Sequence, residues 1–473
     1  MARKQNLHTA LTRRDLLKYG LYGGLAGISS SLWLTGCRKQ HREKRPNVIL
    51  ISVDTLRPDH LSCYGYHRNT SPHIDQFAKD ALVFENCLSH APVTGSSIAS
   101  ILSGFLPHET KVFRNLPLPM AVETLPEILQ RQGYKTVAVV SNYVLRRKKG
   151  WAKGFMIYDD TMSARELVRD APERIAKHTT DTAIELLKHF HEHPMFMWLH
   201  YQDPHGPYTP PPVFAKMFQD ADKKPRNIKL NETPSGRGGI PSYQKLDANR
   251  DFHYYVSQYD GEISYQDKHL QRLITVLEEL GVYDDTLIVF TSDHGEGMGE
   301  HNYFFAHGEN LYNCLTHVPL IMKYGRELTG RRTDYVQHLD IVPTILKAVG
   351  IKVDSRFRGL DLRERQGTNR EIFAEMQSPP FLKKEIKFSL VRDGLKLIHT
   401  RPTNQYEFFD LKTDPHEERN LVNNAKYQKK VENLKIRLKR IRQENFLDPA
   451  IVNKPQRLTD EEIEKLKSLG YIQ

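Results

Sequence analysis

RPNVILISVDTLRPDHLSCYGY, residues 45–66, and HAPVTGSSIASILSG, residues 90–104, decide how this chain is read. In the first stretch the apolar run Asn47–Val53 ends in a single acid, Asp54. Such a run is a buried strand, and its acid stands at the C-terminal end, where open α/β sheets bind ligands. In the second stretch Thr94 precedes small residues that open a short helix. A hydroxyl at a helix N-terminus meets backbone N–H groups and a dipole that favour an anion. A metal-binding acid facing a hydroxyl at an anion site implies attack on a phosphate or sulfate ester.

Outward from this pair, strands and helices alternate. The periodicity predicts helices over 71–82, 96–102, 124–132, 180–191, 251–280 and 341–349. Strands are predicted over 83–89, 135–142, 195–202, 285–291 and 318–323. The alternation gives an α/β fold, a large mostly parallel or mixed sheet sandwiched by helices. Residues 209–250, rich in Pro, Gly, Lys and Asn, read as an insertion over the mouth of the site. After Asp361 the pattern changes to short strands at 371–376, 388–391, 395–399 and 407–411, a small C-terminal antiparallel sheet. A helix over 425–443 follows, with Tyr427, Val431, Leu434, Leu438 and Ile441 on one stripe. Its Lys and Arg residues lie mostly off that stripe, as a solvated face or a contact for anionic lipid headgroups.

At 473 residues the chain accommodates one large domain and a smaller one. Residues 1–36 contribute +4 to the formal charge of +11, through Arg3, Lys4, Arg13, Arg14 and Lys18 against Asp15, leaving +7. That balance suits an anionic substrate or membrane surface, and no motif points to nucleic acid. Thr12-Arg13-Arg14-Asp15-Leu16-Leu17-Lys18 fits a twin-arginine export signal. Leu34-Thr35-Gly36-Cys37 resembles a lipobox, with Cys37 as the lipidated first mature residue. The division is thus a signal over 1–36, a basic tether over 37–46, a catalytic domain over 47–365, a C-terminal subdomain over 366–447 and a tail over 448–473. The protein is expected to be exported by the twin-arginine route and lipid-anchored to a bacterial cell envelope. Cys63, Cys87 and Cys314 remain, an odd number that fits buried free thiols better than a disulfide framework.

Seven segments then fall in a familiar order: NVILISVDTLRPDHLSCYGY, the Thr94 segment, DPHGPYTPP, SDHGEGMGEH, LYNCLTHVPLI, HLDIVPTILKAVG and EFFDLKTDPHEERNL. Over roughly Asn47 to Leu421 the chain resembles the sulfatase family of the alkaline phosphatase superfamily. The resemblance implies one divalent cation (Mn²⁺, Zn²⁺ or Ca²⁺) on Asp54, Thr94, Asp293 and His294. It implies catalytic roles for Thr94, His205 and His307, and substrate contacts from Asn115, His205, His301 and His307. A second metal on Asp203, His205 and His307 is the minority reading. Sulfatases typically carry Cys-x-Pro-Ser-Arg, whose cysteine becomes formylglycine; here Thr94 stands at the cysteine and Ile98 at the arginine. No formylglycine is therefore expected, and sulfate and phosphate esters both stay open. The expected function is a hydrolase of sulfated or phosphorylated glycans, lipids or small molecules through Thr94. The alternatives are a phosphoryl-group transferase acting on envelope lipid or glycan, and an inactive surface binder on the same fold.

Overall fold

The structure is a computed structural model. It describes residues 45–166, 172–220, 223–326, 328–365, 367, 369–377, 385–447 and 459. The expected signal, Cys37, most of the tether and nearly all of the tail lie outside them. Eight strands form the main sheet: β1 (Asn47–Val53), β2 (Leu82–Leu88), β3 (Lys135–Val140), β4 (Ile157–Asp159), β5 (Met195–Tyr201), β6 (Thr286–Ser292), β7 (His317–Lys323) and β8 (Gly330–Gln337). Their order is β8-β2-β7-β6-β1-β5-β3-β4. β1, β5 and β6 are buried along their whole length, as the apolar runs require.

Side chains alternate between the two faces of this sheet. Val48, Leu50, Ala138, Trp198 and Val289 pack on one side against Ile98 and Leu102 of α2 (Thr94–Ser103), Leu125 and Leu129 of α3 (Leu125–Arg131), and Ile345 of α6 (Ile341–Ala348). Ile49, Ile51, Val139, Leu199 and Phe290 pack on the other. There they meet Phe77 of α1 (Pro72–Lys79), Leu187 of α4 (Ala176–Phe190), and Tyr259, Ile263 and Leu273 of α5 (Phe252–Glu279). The helix expected over 71–82 stops at Lys79, and Leu82 opens β2 opposite Met322. Leu82 fits a helical stripe from Ile74 as well as a buried strand, so its periodicity could not place the boundary.

The sheet is mixed through one strand, β7, which runs antiparallel to both β2 and β6. From Ser292 to His317 the chain stays at one edge of the sheet and has no crossover helix, so its next strand must return in the opposite direction.

The C-terminal sheet is a meander of β9 (Glu371–Met376), β10 (Ile386–Arg392), β11 (Leu395–Arg401) and β12 (Gln405–Asp410). The stripe residues Val431, Leu434, Leu438 and Ile441 of α7 (Gln428–Ile441) pack on its Phe388, Leu390, Leu397 and Phe408. The expected insertion is largely irregular and folds inward. Ile240, Tyr243 and Gln244 are buried, and a Cβ at Gly206 would collide with the Gln244 side chain. Gln244 thus covers the loop that follows β5.

Candidate active site

Three strand and helix ends meet at one sheet edge. β1 delivers Asp54, β6 delivers Asp293 and His294, and α2 delivers Thr94; all four side chains are fully buried. Thr55 turns the chain out of β1 with a left-handed φ of 56°. The Tyr259 hydroxyl clamps that turn: it donates to Thr55 O at 2.8 Å and accepts from Arg57 N–H at 3.0 Å. Gly95 and Gly295 permit the close packing. A Cβ at Gly95 would sit 2.6 Å from Arg114 O, and one at Gly295 only 2.1 Å from Cys314 O.

Each carboxylate has one tethered oxygen. Asp54 Oδ2 accepts from Asn142 Nδ2 and lies 3.6 Å from His200 Nε2. Asp293 Oδ1 accepts from the N–H groups of Thr55 at 3.2 Å and His294 at 2.8 Å. Their other oxygens, Asp54 Oδ1 and Asp293 Oδ2, are buried with no hydrogen-bond partner among the described residues. His294 Nδ1 donates to Gly295 O at 2.9 Å, which turns the lone pair of Nε2 toward them. Nε2 lies 3.9 Å from Asp54 Oδ1 and 3.5 Å from Asp293 Oδ2. Burial pushes the Asp54 carboxyl up, yet His205, His200 and His294 outweigh it and hold the group well below the usual carboxylate range. Burial, and then Asp54 itself, push Asp293 up. Two buried carboxylates side by side need positive charge between them. Orphaned oxygens and an aimed imidazole make Asp54, Asp293 and His294 a set that could hold one metal ion.

Thr94 is the first residue inside α2, and the N-cap is Val93. The Thr94 hydroxyl is thus not spent on capping and lies 3.4 Å from His294 Nε2. Asn115 Oδ1 accepts the Gly95 N–H at 2.8 Å, while its buried Nδ2 has no partner among the described residues.

Two more histidines close the cluster. The His307 ring centroid is 4.6 Å from that of His294 and 5.2 Å from that of His205. His205 Nδ1 donates to Gly206 O at 2.7 Å, and so turns Nε2 away from that carbonyl. His307 Nδ1 meets Glu296 Oε1 at 3.1 Å, and Glu296 Oε2 accepts from the Tyr208 hydroxyl at 3.1 Å. Burial opposes charge on His307, but Glu296, with Asp54 and Asp293, raises its pKa.

His301 is not brought into this cluster. It stacks on Tyr312 with 3.6 Å between centroids and lines a separate cavity with Arg57, Glu300 and Cys314. Its left-handed φ of 51° belongs to the turn that carries the chain away from the site. Asp203 does not form a second metal set with His205 and His307; it shares a hydrogen bond with the buried Glu262, and both carboxyls are pushed up by burial. Ile98 packs in the core. The sequence reading missed Glu296, Asn142, His200 and Tyr259. Asn142 ends the predicted strand over 135–142, at the same sheet edge as Asp54, and that placement was a usable signal. Glu296 lies within the quoted SDHGEGMGEH, three residues after Asp293, and nothing local marked His200 or Tyr259.

A family model described as "Sulfatase" matches residues 46–351, and one described as "N-sulphoglucosamine sulphohydrolase, C-terminal" matches residues 299–444. The N-acetylglucosamine-6-O-sulfatase of Bacteroides thetaiotaomicron is 24% identical over 497 aligned positions, covering 86% of this chain and 88% of that protein. A solved structure holding its substrate, D-glucosamine-2-N,6-O-disulfate, superposes with a TM-score of 0.72 at 22% identity, covering 87% of this chain and all of the other. The phosphonate monoester hydrolase of Agrobacterium radiobacter superposes with a TM-score of 0.69 at 21% identity, covering 88% of this chain and 99% of the other.

Proposed function

The chain belongs to the sulfatase family, and from that premise we propose that it is an exported hydrolase of sulfate or phosphate esters with Thr94 as its nucleophile. The observation that carries this reading is the Thr94 hydroxyl, free of capping and 3.4 Å from His294 Nε2 inside the buried cluster. Asp54, Asp293 and His294 would hold one divalent cation, with Mn²⁺ or Zn²⁺ favoured over Ca²⁺ because an imidazole is a poor Ca²⁺ ligand. Such an ion, when bound, lowers the pKa of a neighbouring hydroxyl and offsets the charge of the ester. Thr94 Oγ, its proton lost to solvent, attacks sulfur or phosphorus in line, and the bond from that atom to the leaving oxygen breaks. His307 donates the proton to that oxygen, a role its Glu296 partner supports, and His205 helps hold the ester. Asn115 Nδ2 offers a donor to another ester oxygen. Water then releases the group from Thr94, and no formylglycine takes part.

The sulfated amino sugar handled by the N-acetylglucosamine-6-O-sulfatase supports a glycan ester as substrate. The twin-arginine pattern and Leu34-Thr35-Gly36-Cys37 support export and anchoring through Cys37, with the domain boundaries given above. The test is accurate-mass analysis of protein quenched during turnover of a slow substrate. A sulfuryl or phosphoryl adduct on the Thr94 peptide is expected, and its mass names the ester class. An adduct on another peptide, or an oxidised Cys87, overturns the proposal.

A further inference from the structure

A cationic groove lies on the C-terminal sheet, apart from the catalytic cluster. The groove between α7 and the strands β11 and β12 encloses about 490 Å³. Its charged lining is Arg401, Lys435, Lys439 and Arg442, with no acid among the lining residues. Lys435 pairs with Glu432 at 2.7 Å; among the described residues Arg401, Lys439 and Arg442 have no carboxylate within ion-pair distance, although Glu375 acts on Arg442 from farther off. Elsewhere on the same helix, Arg437 and Arg440 both reach Glu371.

The groove is also ordered. The His399 and Tyr406 rings stack at 4.3 Å with 4° between their planes, and Lys435 Nζ lies 4.7 Å from the Tyr406 centroid. The Arg442 guanidinium sits 3.8 Å over the Phe388 ring. The charges press on one another. Burial first, and then Arg401, pull the Arg442 pKa down. Burial, Arg442, Arg401 and Lys435 pull His399 down, against the hydrogen bond that its Nε2 donates to Asn404 Oδ1 at 2.9 Å. Holding three unneutralised cations around one aromatic floor costs free energy that an anion would return.

We propose that this groove binds a sulfate or phosphate ester group carried on a saccharide, through Arg401, Lys439 and Arg442. Two cationic forks match a tetrahedral oxyanion, and a groove of about 490 Å³ has room for the sugar that carries it. A bilayer would instead meet a row of apolar side chains, and the groove presents a single exposed one, Ile436, at 70%. None of these residues belongs to the catalytic cluster, so the site is one of binding only and stands apart from the role of Thr94.

The test uses the full chain in a Thr94→Ala background, so that no probe is consumed. The probes are a heparin-derived hexasaccharide, its desulfated counterpart, inorganic sulfate, and phosphatidylcholine–phosphatidylglycerol vesicles. Arg401 and Lys439 are exposed, so Arg401→Ser with Lys439→Ser leaves the fold intact. That pair is expected to weaken hexasaccharide binding about tenfold and flatten its salt dependence. In otherwise native protein it should leave turnover of a small aryl ester unchanged. The hexasaccharide should also raise the apparent pKa of the His399 resonance, assigned with His399→Gln, in the parent and not in the variant. Equal hexasaccharide affinity in parent and variant overturns the proposal. So does variant-sensitive binding of vesicles or inorganic sulfate without the saccharide.

Discussion

Thr94 is the residue on which the proposed chemistry turns, and small changes there discriminate sharply. Thr94→Ala is expected to lower kcat by about three powers of ten or more, and Thr94→Ser to keep part of it, in single-turnover assays. Asn142→Ala is subtler. It removes the donor that orients Asp54 Oδ2, and should weaken divalent-metal affinity about 10- to 100-fold in a titration after chelator treatment. Affinity unchanged in that variant would mean that Asp54 is held by β1 alone. At this scale the sequence was legible where a residue ends an element. Asp54 and Asp293 terminate apolar runs, and the sheet's geometry gathers such ends at one edge. Glu296 and His200 carry no such mark. Their importance arises only when His307 and Asp54 come within reach, which is a property of the folded chain.

At the scale of elements, one contact couples the C-terminal sheet to the loop after α2. His108 Nδ1 meets Glu375 Oε1 of β9 at 2.8 Å, and His108 Nε2 meets Glu444 O at 3.0 Å. Burial disfavours charge on His108, but Glu375 overrides it and raises the pKa above 6.5. The sign follows: folding binds a proton here, so the contribution is full below pH 6.5 and fades as pH rises through the raised value. His108→Gln should therefore cost about 2 kcal/mol in urea unfolding at mildly acid pH and much less in alkaline buffer. A cost independent of pH would show that the imidazole acts there uncharged. Six of the eight main-sheet strands and the longer helices were readable from period, to within a few residues of their ends, whereas the edge strands β4 and β8 were not. The direction of β7 was not, because alternation and burial look the same read either way along a strand. Only the path from Ser292 to His317 reveals it.

For the whole molecule, the expected course runs from export to anchoring. Lysines in place of both Arg13 and Arg14 should leave unprocessed precursor in the cytoplasm, judged by fractionation and immunoblot. Cys37→Ala should abolish labelling by a palmitate analogue; label that persists would sink the lipoprotein reading. The reversed strand has an effect at this scale as well. β6 and β7 are hydrogen-bonded neighbours, with Thr291 opposite Leu320, so the segment between them leaves and re-enters the sheet about 5 Å apart. Between those two anchors hang Asp293, His294, Glu296 and His307. Residues 293–316 thus make a single excursion from the sheet that carries half the reaction centre, held at its far side by the contacts of Glu300 with Arg57 and of Asn313 with Glu417.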